Sequence, residues 1–277
     1  MKRFLVIGLC LISLSLVTCG NGNKVNEEVS KNTEISQESK DPISRRETIV
    51  AKVGKEEITL AQVDAFSQSA IVYAKAVVGD DFENEINEVL ENSSDEAKVS
   101  EYKNQKETII ESRKFAVEAL VQSKLFGLEA REKKLIYDGM IEENKELIKM
   151  FYISPESELS DERVQELFEN DISNMVNNYG VPREVAIKEY EDIVGENLLK
   201  DELKGKVSIS SEEIEEYYNE NIDSYVIDGV STRSLSEVSD EIEKTLFYEK
   251  YSELIDRELE RISKKHKVVT FEEELNF

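Results

Sequence analysis

The chain has 277 residues, with 35 Lys or Arg against 60 Asp or Glu, and its formal net charge of -25 excludes binding to phosphate backbones. With only 3 Pro and 11 Gly, the composition favours long helices over a turn-rich β fold. One His, two Cys and no glycine-rich phosphate loop exclude most familiar catalytic and metal sites, so we expect a non-catalytic protein with no cofactor and no metal.

The first 18 residues have the features of a secretion signal. A basic start, Met1-Lys2-Arg3, precedes the apolar run Phe4 to Val17, which is too short to span about 30 Å of hydrocarbon. The run ends in Leu16-Val17-Thr18-Cys19-Gly20, which resembles a bacterial lipobox and predicts that Cys19 carries the lipid. The alternative is an ordinary signal peptide in which Cys19 has no role. Cys10 would be removed with the signal, leaving no disulfide partner.

Residues 19–47 are predicted to form a disordered polar tether. They are rich in Asn, Ser, Glu and Lys and have no apolar period of 2 or 3.6. A flexible coil of this length spans roughly 30 Å on average. Together with the lipid, the tether predicts an extracytoplasmic protein anchored to a cell membrane, and its composition is typical of a low-GC Gram-positive bacterium.

Residues 48–277 are predicted to form one folded domain that begins with a hairpin. Ile49–Val53 and Glu56–Ile58 are β-prone and flank Gly54-Lys55, a pair that suits a type II′ turn. Thr59 and Gln62 have capping-box spacing, which predicts a helix from Thr59 to about Val78.

Further helices are predicted from apolar residues that recur every three, four or seven positions. They are Lys106–Leu135 (Ile110, Val117, Val121, Leu125, Leu128), a helix ending at Gly180 (Val164, Leu167, Phe168, Ile172, Met175, Tyr179), one ending near Gly205 (Val185, Ile193, Leu199, Leu203), one capped by Ser210 and Glu213 (Ile214, Tyr217, Tyr218, Ile222), and Ser236–Lys264 (Val238, Ile242, Leu246, Ile255, Leu259, Ile262).

The chain ends in a predicted strand at Lys267–Phe271. Because lone strands are unstable, we expect this strand to pair with the N-terminal hairpin. The predicted fold class is therefore mainly α: an irregular multi-helix domain with a small β-element formed by the N-terminal hairpin and the C-terminal strand. The apolar pattern is not a sustained heptad, so a continuous coiled coil is not expected.

Several segments resemble the SurA/PrsA family of extracytoplasmic foldases. Ala51–Asp64 (AKVGKEEITLAQVD) resembles the start of that family's chaperone domain, and ALVQSKL and EAREKKL within Ala119–Leu135 resemble its next helix. Val207–Asn221 (VSISSEEIEEYYNEN) is similar to the end of its N-terminal helical part, and Val238–Ile262 to its C-terminal helix. The resemblance covers about Thr48 to Phe271 and implies an N-terminal part at 48–225 and a C-terminal helix and strand at 235–271.

The resemblance implies that the family's parvulin prolyl isomerase domain is absent. In the family, that domain lies between the segment that Val207–Asn221 resembles and the C-terminal helix. Here only the residues Val226–Leu235 separate the two, which leaves no room for it. The sole histidine, His266, is interpreted as a surface residue near a helix C-terminus. We therefore expect no catalytic residues and no enzyme activity.

The function implied by the resemblance is a chaperone that binds unfolded or extended exported polypeptides. The 11 Tyr and 10 Phe are a suitable supply of contacts. Core packing or an amphipathic rim is the alternative for Phe151, Tyr152, Tyr217, Tyr218, Phe247, Tyr248 and Tyr251. Acidic runs such as Glu212–Glu216 and Glu272–Glu274 are interpreted as solvated faces, since they lack the Gly turn of a calcium loop. Their charge favours cationic partners.

Two other functions stay open. The protein could be a scaffold or adaptor lipoprotein that holds one specific partner, or it could retain residual prolyl isomerase activity. The sequence favours no oligomeric state and defines no residues for a binding cleft.

Overall fold

The computed structural model describes residues 46–152, 159–227 and 231–277. The predicted signal segment, the lipidation residue Cys19 and nearly all of the tether lie outside these ranges. Within them, no helix combines the length and apolarity needed to cross a membrane.

The described residues are mainly helical with a small antiparallel sheet, which confirms the predicted fold class. Short 3-10 turns occupy Lys145–Ile148, Ile222–Tyr225 and Glu272–Leu275. The strands and helices are β1 (Ile49–Val53), β2 (Glu56–Thr59), α1 (Leu60–Phe66), α2 (Gln68–Val77), α3 (Phe82–Asn92), α4 (Glu96–Glu132), α5 (Met140–Glu143), α6 (Lys149–Tyr152), α7 (Asp161–Tyr179), α8 (Arg183–Lys204), α9 (Ser211–Glu220), β3 (Val226–Ile227), β4 (Ser231–Thr232), α10 (Leu235–Lys265) and β5 (Val268–Thr270).

The main sheet joins the two ends of the folded domain. Its strand order is β2-β1-β5, and both pairings are antiparallel. Val53 pairs with Val268, and Val53 also pairs with Glu56 across the predicted two-residue turn. Gly54 has φ of +61°, as the first position of a type II′ turn requires. The predicted hairpin and its pairing with the C-terminal strand are confirmed.

The helix predicted from Thr59 to about Val78 is interrupted, and this prediction was wrong in its length. The capping box at Thr59 and Gln62 is present, but the chain leaves helical geometry at Ser67, which separates α1 from α2. The Ser67 hydroxyl donates a hydrogen bond of 3.1 Å to the Ser112 carbonyl of α4. This hydrogen bond to another helix stabilises the break at Ser67. The residue pattern of one segment cannot predict a contact with a distant one.

Helix α4 is longer than predicted, because it begins at Glu96 rather than Lys106. The Asp95 side chain caps it by accepting from the backbone N–H groups of Ala97 and Lys98 at 3.0 and 3.2 Å. Its first turns are largely polar and solvated, so they carry little apolar periodicity. Of the predicted stripe, Val117 and Leu125 are buried and the other three residues are partly buried.

Helices α7 and α10 match their predictions. Of the residues predicted for α7, Val164, Phe168, Ile172, Met175 and Tyr179 are buried and Leu167 is partly buried. Gly180 ends the helix with φ of +77°, and its N–H donates to the Val176 carbonyl, which is the single 5→1 bond of an αL cap. The Val181 N–H donates to the Met175 carbonyl. Helix α10 lies within one residue of its predicted bounds.

The main core is built around the crossing of α4 and α8. A methyl group on Gly195 would lie 2.7 Å from Ile136 Cδ1 and 2.8 Å from Ala130 Cβ, so the missing side chain permits the close approach. A smaller cluster of Tyr225, Val238 and Ile242 lies between α9 and α10. Helix α10 has 31 residues, about 46 Å at 1.5 Å per residue, and connects the two clusters.

Candidate functional site

Helix α2 has apolar side chains on both of its faces. Ile71 and Ala74 are buried against the core, whereas Val72, Tyr73 and Val77 are 57%, 63% and 46% exposed. A surface helix of a globular protein normally presents polar residues to solvent. We call Val72, Tyr73 and Val77 the α2 face, and Phe66 at the end of α1 is also exposed.

A groove runs between α2 and α4 beside this face. Its volume is about 240 Å³, and it is lined by Ala70, Tyr73, Ala74, Glu101, Asn104, Gln105, Thr108 and Ile109. This volume is below the roughly 300–1,000 Å³ of typical small-molecule sites, so the groove suits a few side chains or a peptide edge better than a cofactor.

One wall of the groove carries an unused hydrogen-bond acceptor. Among the described residues, Gln105 Oε1 is buried and has no hydrogen-bond partner. An unsatisfied buried acceptor costs about 1–3 kcal/mol, and a donor brought by a bound molecule would relieve that cost. The groove therefore combines apolar contact area with one side-chain amide oxygen that has no partner and that a rotation of the Gln105 side chain would expose.

A group of buried charged residues, a second candidate site, lies where α4 and α8 cross. Lys124 Nζ lies 2.9 Å from Glu189 Oε1 and 3.6 Å from Asp192 Oδ2, and all three side chains are buried. Gln62 donates to Glu189 at 2.6 Å, and Arg131 pairs with Asp192. Burial raises the pKa of Asp192 to about 6, against the lowering effect of Lys124. Among the described residues, Glu189 Oε2 and one terminal nitrogen of Arg131 are buried without a hydrogen-bond partner. The other charged atoms of the group pair with one another inside the core, so we assign the group to the framework.

The residues that could hold a metal are Glu129, Glu132 and His266, the one such group found among the described residues. The interpretation of His266 as a surface residue was wrong. It does cap the C-terminal end of α10, but its ring is mostly buried and lies near Gly54 of the β1–β2 turn. Pairing of β5 with β1 brings it there.

Most of the aromatic residues singled out in the sequence pack within the protein. Phe151 is buried between Tyr152 and Tyr190, and Tyr217 and Tyr218 belong to the small cluster under α10. Phe247 and Tyr251 are partly buried and stack on each other, whereas Tyr248 is exposed. Core packing therefore holds for Phe151, Tyr152, Tyr217 and Tyr218, whereas Phe247, Tyr248 and Tyr251 lie outside both core clusters.

Sequence reasoning missed the α2 face. The signal was present, because residues 70–78 (AIVYAKAVV) are apolar at all but one position and so have apolar side chains on every side of a helix. The acidic runs at Glu212, Glu215 and Glu216 and at Glu272–Glu274 are exposed, as expected for solvated faces.

Comparison with models of protein families, with curated proteins and with solved structures found no match in any of the three. The resemblance to SurA/PrsA foldases therefore stays a prediction, and the functional argument depends on the geometry of the described residues.

Proposed function

We propose that this protein is a lipid-anchored extracytoplasmic chaperone that binds unfolded or extended segments of exported proteins, without prolyl isomerase chemistry. The observation that carries the proposal is the exposed apolar α2 face beside a groove with an unsatisfied acceptor at Gln105. The lipid at Cys19 and the resemblance to SurA/PrsA foldases are parts of the same proposal.

The chemistry of the α2 face suits weak contacts with many different sequences. Contiguous apolar surface on a soluble protein marks sites of interaction, and Val72, Tyr73 and Val77 offer contact area without a deep pocket that would select one side chain. Once the Gln105 side chain rotates towards the groove, its Oε1 can accept from a backbone N–H, which every residue except Pro provides. Contacts of this kind do not depend on the client's sequence.

The charge of the chain supports the same function. A net charge of -25 keeps the protein soluble while it exposes apolar groups, and it attracts cationic polypeptides at long range. The segment resembling the family's opening, Ala51–Asp64, forms β1, β2 and the start of α1 and so leads directly to α2.

A scaffold or adaptor function is the second candidate. The observation that favours it is a separate exposed apolar group at Ile222, Val226 and Ile227, beside the β3–β4 pair. This group is small and local, so it suits one partner with a matching surface. The α2 face and this group can be tested separately.

The experiment measures suppression of aggregation by the full chain, using several unrelated denatured clients. We expect wild type to suppress aggregation and the variant Val72→Ser/Tyr73→Ser/Val77→Ser to lose most of that activity. The matched control, Tyr137→Ser/Met150→Ser/Leu198→Ser, removes three exposed apolar side chains from other helices and connections and should behave as wild type.

The chaperone proposal fails if wild type does not suppress aggregation of any client at molar excess, or if the α2 variant is as active as wild type. A pull-down that returns one stoichiometric protein, lost on Ile222→Ser/Val226→Ser/Ile227→Ser, would favour the adaptor. A proline-peptide isomerisation assay should show no acceleration above buffer.

A further inference from the structure

Three potential metal ligands meet where the end of α10 contacts α4. Glu129 and Glu132 lie one helical turn apart on α4, and His266 follows the last residue of α10. One ligand atom from each of the three residues lies within 4.8 Å of the other two. The group brings together one imidazole nitrogen and two carboxylates from parts of the chain that are distant in sequence.

The histidine has an unused ring nitrogen directed at this group. Among the described residues, His266 Nε2 is buried and has no hydrogen-bond partner. The nearest carboxylate atom, Glu132 Oε1, lies 3.6 Å away, beyond hydrogen-bond distance. The imidazole can therefore turn a nitrogen towards an ion held by the two carboxylates.

We propose that Glu129, Glu132 and His266 form a site for one zinc ion, with a water molecule as the fourth ligand. One imidazole and two carboxylates are a donor set that zinc accepts in tetrahedral geometry. The imidazole favours zinc over calcium and magnesium, which prefer oxygen ligands throughout.

The Lys265 ammonium pairs with both carboxylates of the proposed site. It lies 3.3 Å from Glu129 Oε2 and also pairs with Glu132 Oε2. Arg261 approaches the other oxygen of Glu129, Oε1, at 2.5 Å. An ion that replaces the Lys265 ammonium at the two carboxylates would have the ligand atom of His266 within 4.8 Å of theirs, and Arg261 would keep its own partner, Glu129 Oε1.

The exchange needs small movements of side chains. Lys265 is 42% exposed, so its flexible stem can move the ammonium into solvent. Ligand atoms around a tetrahedral zinc ion are about 3.3 Å apart, so the atoms of this group must close by about 1.5 Å at most. Glu132 is partly exposed and can supply most of that movement. Binding would fasten the junction of α10 and β5 to α4.

The test is calorimetric titration of zinc chloride into the full chain after removal of metals with EDTA. We expect one ion per chain and a higher midpoint of thermal unfolding with zinc. His266→Asn and Glu132→Gln each remove a proposed ligand. Because loss of even an outer partner of a ligand weakens metal affinity by about 10–100-fold, each variant should weaken zinc binding at least tenfold.

Lys265→Gln gives a result of opposite sign, because removal of the competing ammonium should strengthen zinc binding. Lys264→Gln is its matched control, since the neighbouring Lys264 pairs with the exposed Glu260 and should leave the affinity unchanged. Thermal unfolding without metal confirms that each variant is folded.

Three results would overturn the proposal. They are no zinc binding by wild type, equal zinc binding by His266→Asn, or no gain in affinity in Lys265→Gln. Calcium chloride titrated in parallel should bind much more weakly, and equally strong calcium binding that survives His266→Asn would indicate a general acidic surface in place of the site.

Discussion

Helix α8 buries acidic side chains, whereas helix α2 exposes apolar ones. Helix α8 places four acidic residues in the core, and each has partners at close range: Glu189, Glu191, Asp192 and Glu196. Helix α2 leaves Val72, Tyr73 and Val77 in solvent beside an acceptor with no partner.

This difference indicates that the α8 residues stabilise the fold, whereas the α2 face is available for binding. Buried charges are tolerated only with well-placed partners, so they fix how α4 and α8 lie against each other. Exposed apolar groups make no such demand, and they remain free to contact another molecule. The α8 crossing should therefore be sensitive to substitution in stability, and the α2 face only in binding.

The largest loss of stability is expected for Lys124→Met. This substitution keeps the length of the side chain but leaves Glu189 and Asp192 without their shared cation in the core. Removing one partner of a buried ion pair costs about 3–5 kcal/mol in the free energy of unfolding, measured by chemical denaturation.

The matched control is Lys52→Met, which breaks an exposed pair with Glu57. Surface pairs contribute about 0–1 kcal/mol, so this variant should stay close to wild type. Equal losses in the two variants would mean that the Lys124 group is solvated and does not fix the crossing.

A smaller loss is expected for Gly127→Ala. Its new methyl group would lie 2.6 Å from Asp192 Cγ and 2.8 Å from Asp192 Cβ, so the buried carboxylate must move away from its partners. Overpacking of this kind costs about 1–3 kcal/mol in the free energy of unfolding.

Gly205→Ala provides the comparison, because the nearest atoms to its methyl group are backbone oxygens at 3.6 and 3.7 Å and its backbone is right-handed. The free energy of unfolding of Gly205→Ala should equal or slightly exceed that of wild type. If both glycines tolerate Ala, the close approach of α4 and α8 is not needed.

The sequence was sufficient where structure depends on neighbours in the chain. Thr59 with Gln62, Ser210 with Glu213, and Gly180 gave the correct helix ends, because capping groups act within a few residues. The buried stripe of α7 was also predicted, since an amphipathic period reports which face meets a core.

The sequence was insufficient where contacts join distant residues. The burial of Glu189 and Asp192 could not be predicted, because it depends on Lys124 and Arg131 of another helix. The same holds for Ser67 and for His266, whose surroundings are set by α4 and by the sheet. The α2 face was missed because apolar residues are ordinarily assigned to a core.

A modest effect on the pH dependence of stability is expected for Asp192→Asn. The pKa of Asp192 is about 6 in the folded protein, above the ordinary 3.8, chiefly because of burial. Between these pH values the folded state binds more protons than the unfolded state, so Asp192 adds stability as pH falls from 7 towards 4. Wild type should therefore gain on the order of 1–2 kcal/mol relative to Asp192→Asn over that range.

Asp138→Asn should give the opposite sign. A hydrogen bond from Arg131 lowers the pKa of Asp138, so its contribution is lost as pH falls. Urea denaturation of the two variants and wild type at pH 7, 5.5 and 4 measures both slopes. Parallel curves for wild type and Asp192→Asn would contradict the burial of that carboxylate.

The smallest effect on stability is expected for the α2 variant Val72→Ser/Tyr73→Ser/Val77→Ser. Exposed substitutions usually change the free energy of unfolding by no more than about 0.5 kcal/mol each, and Ser and Val have similar helix propensities. Ile71→Ala, on the buried side of the same helix, should cost about 2–5 kcal/mol. If the α2 variant instead unfolds as easily as Ile71→Ala, these three side chains belong to the core, and the binding surface lies elsewhere. A variant with wild-type stability that no longer suppresses aggregation would separate binding from folding on one helix.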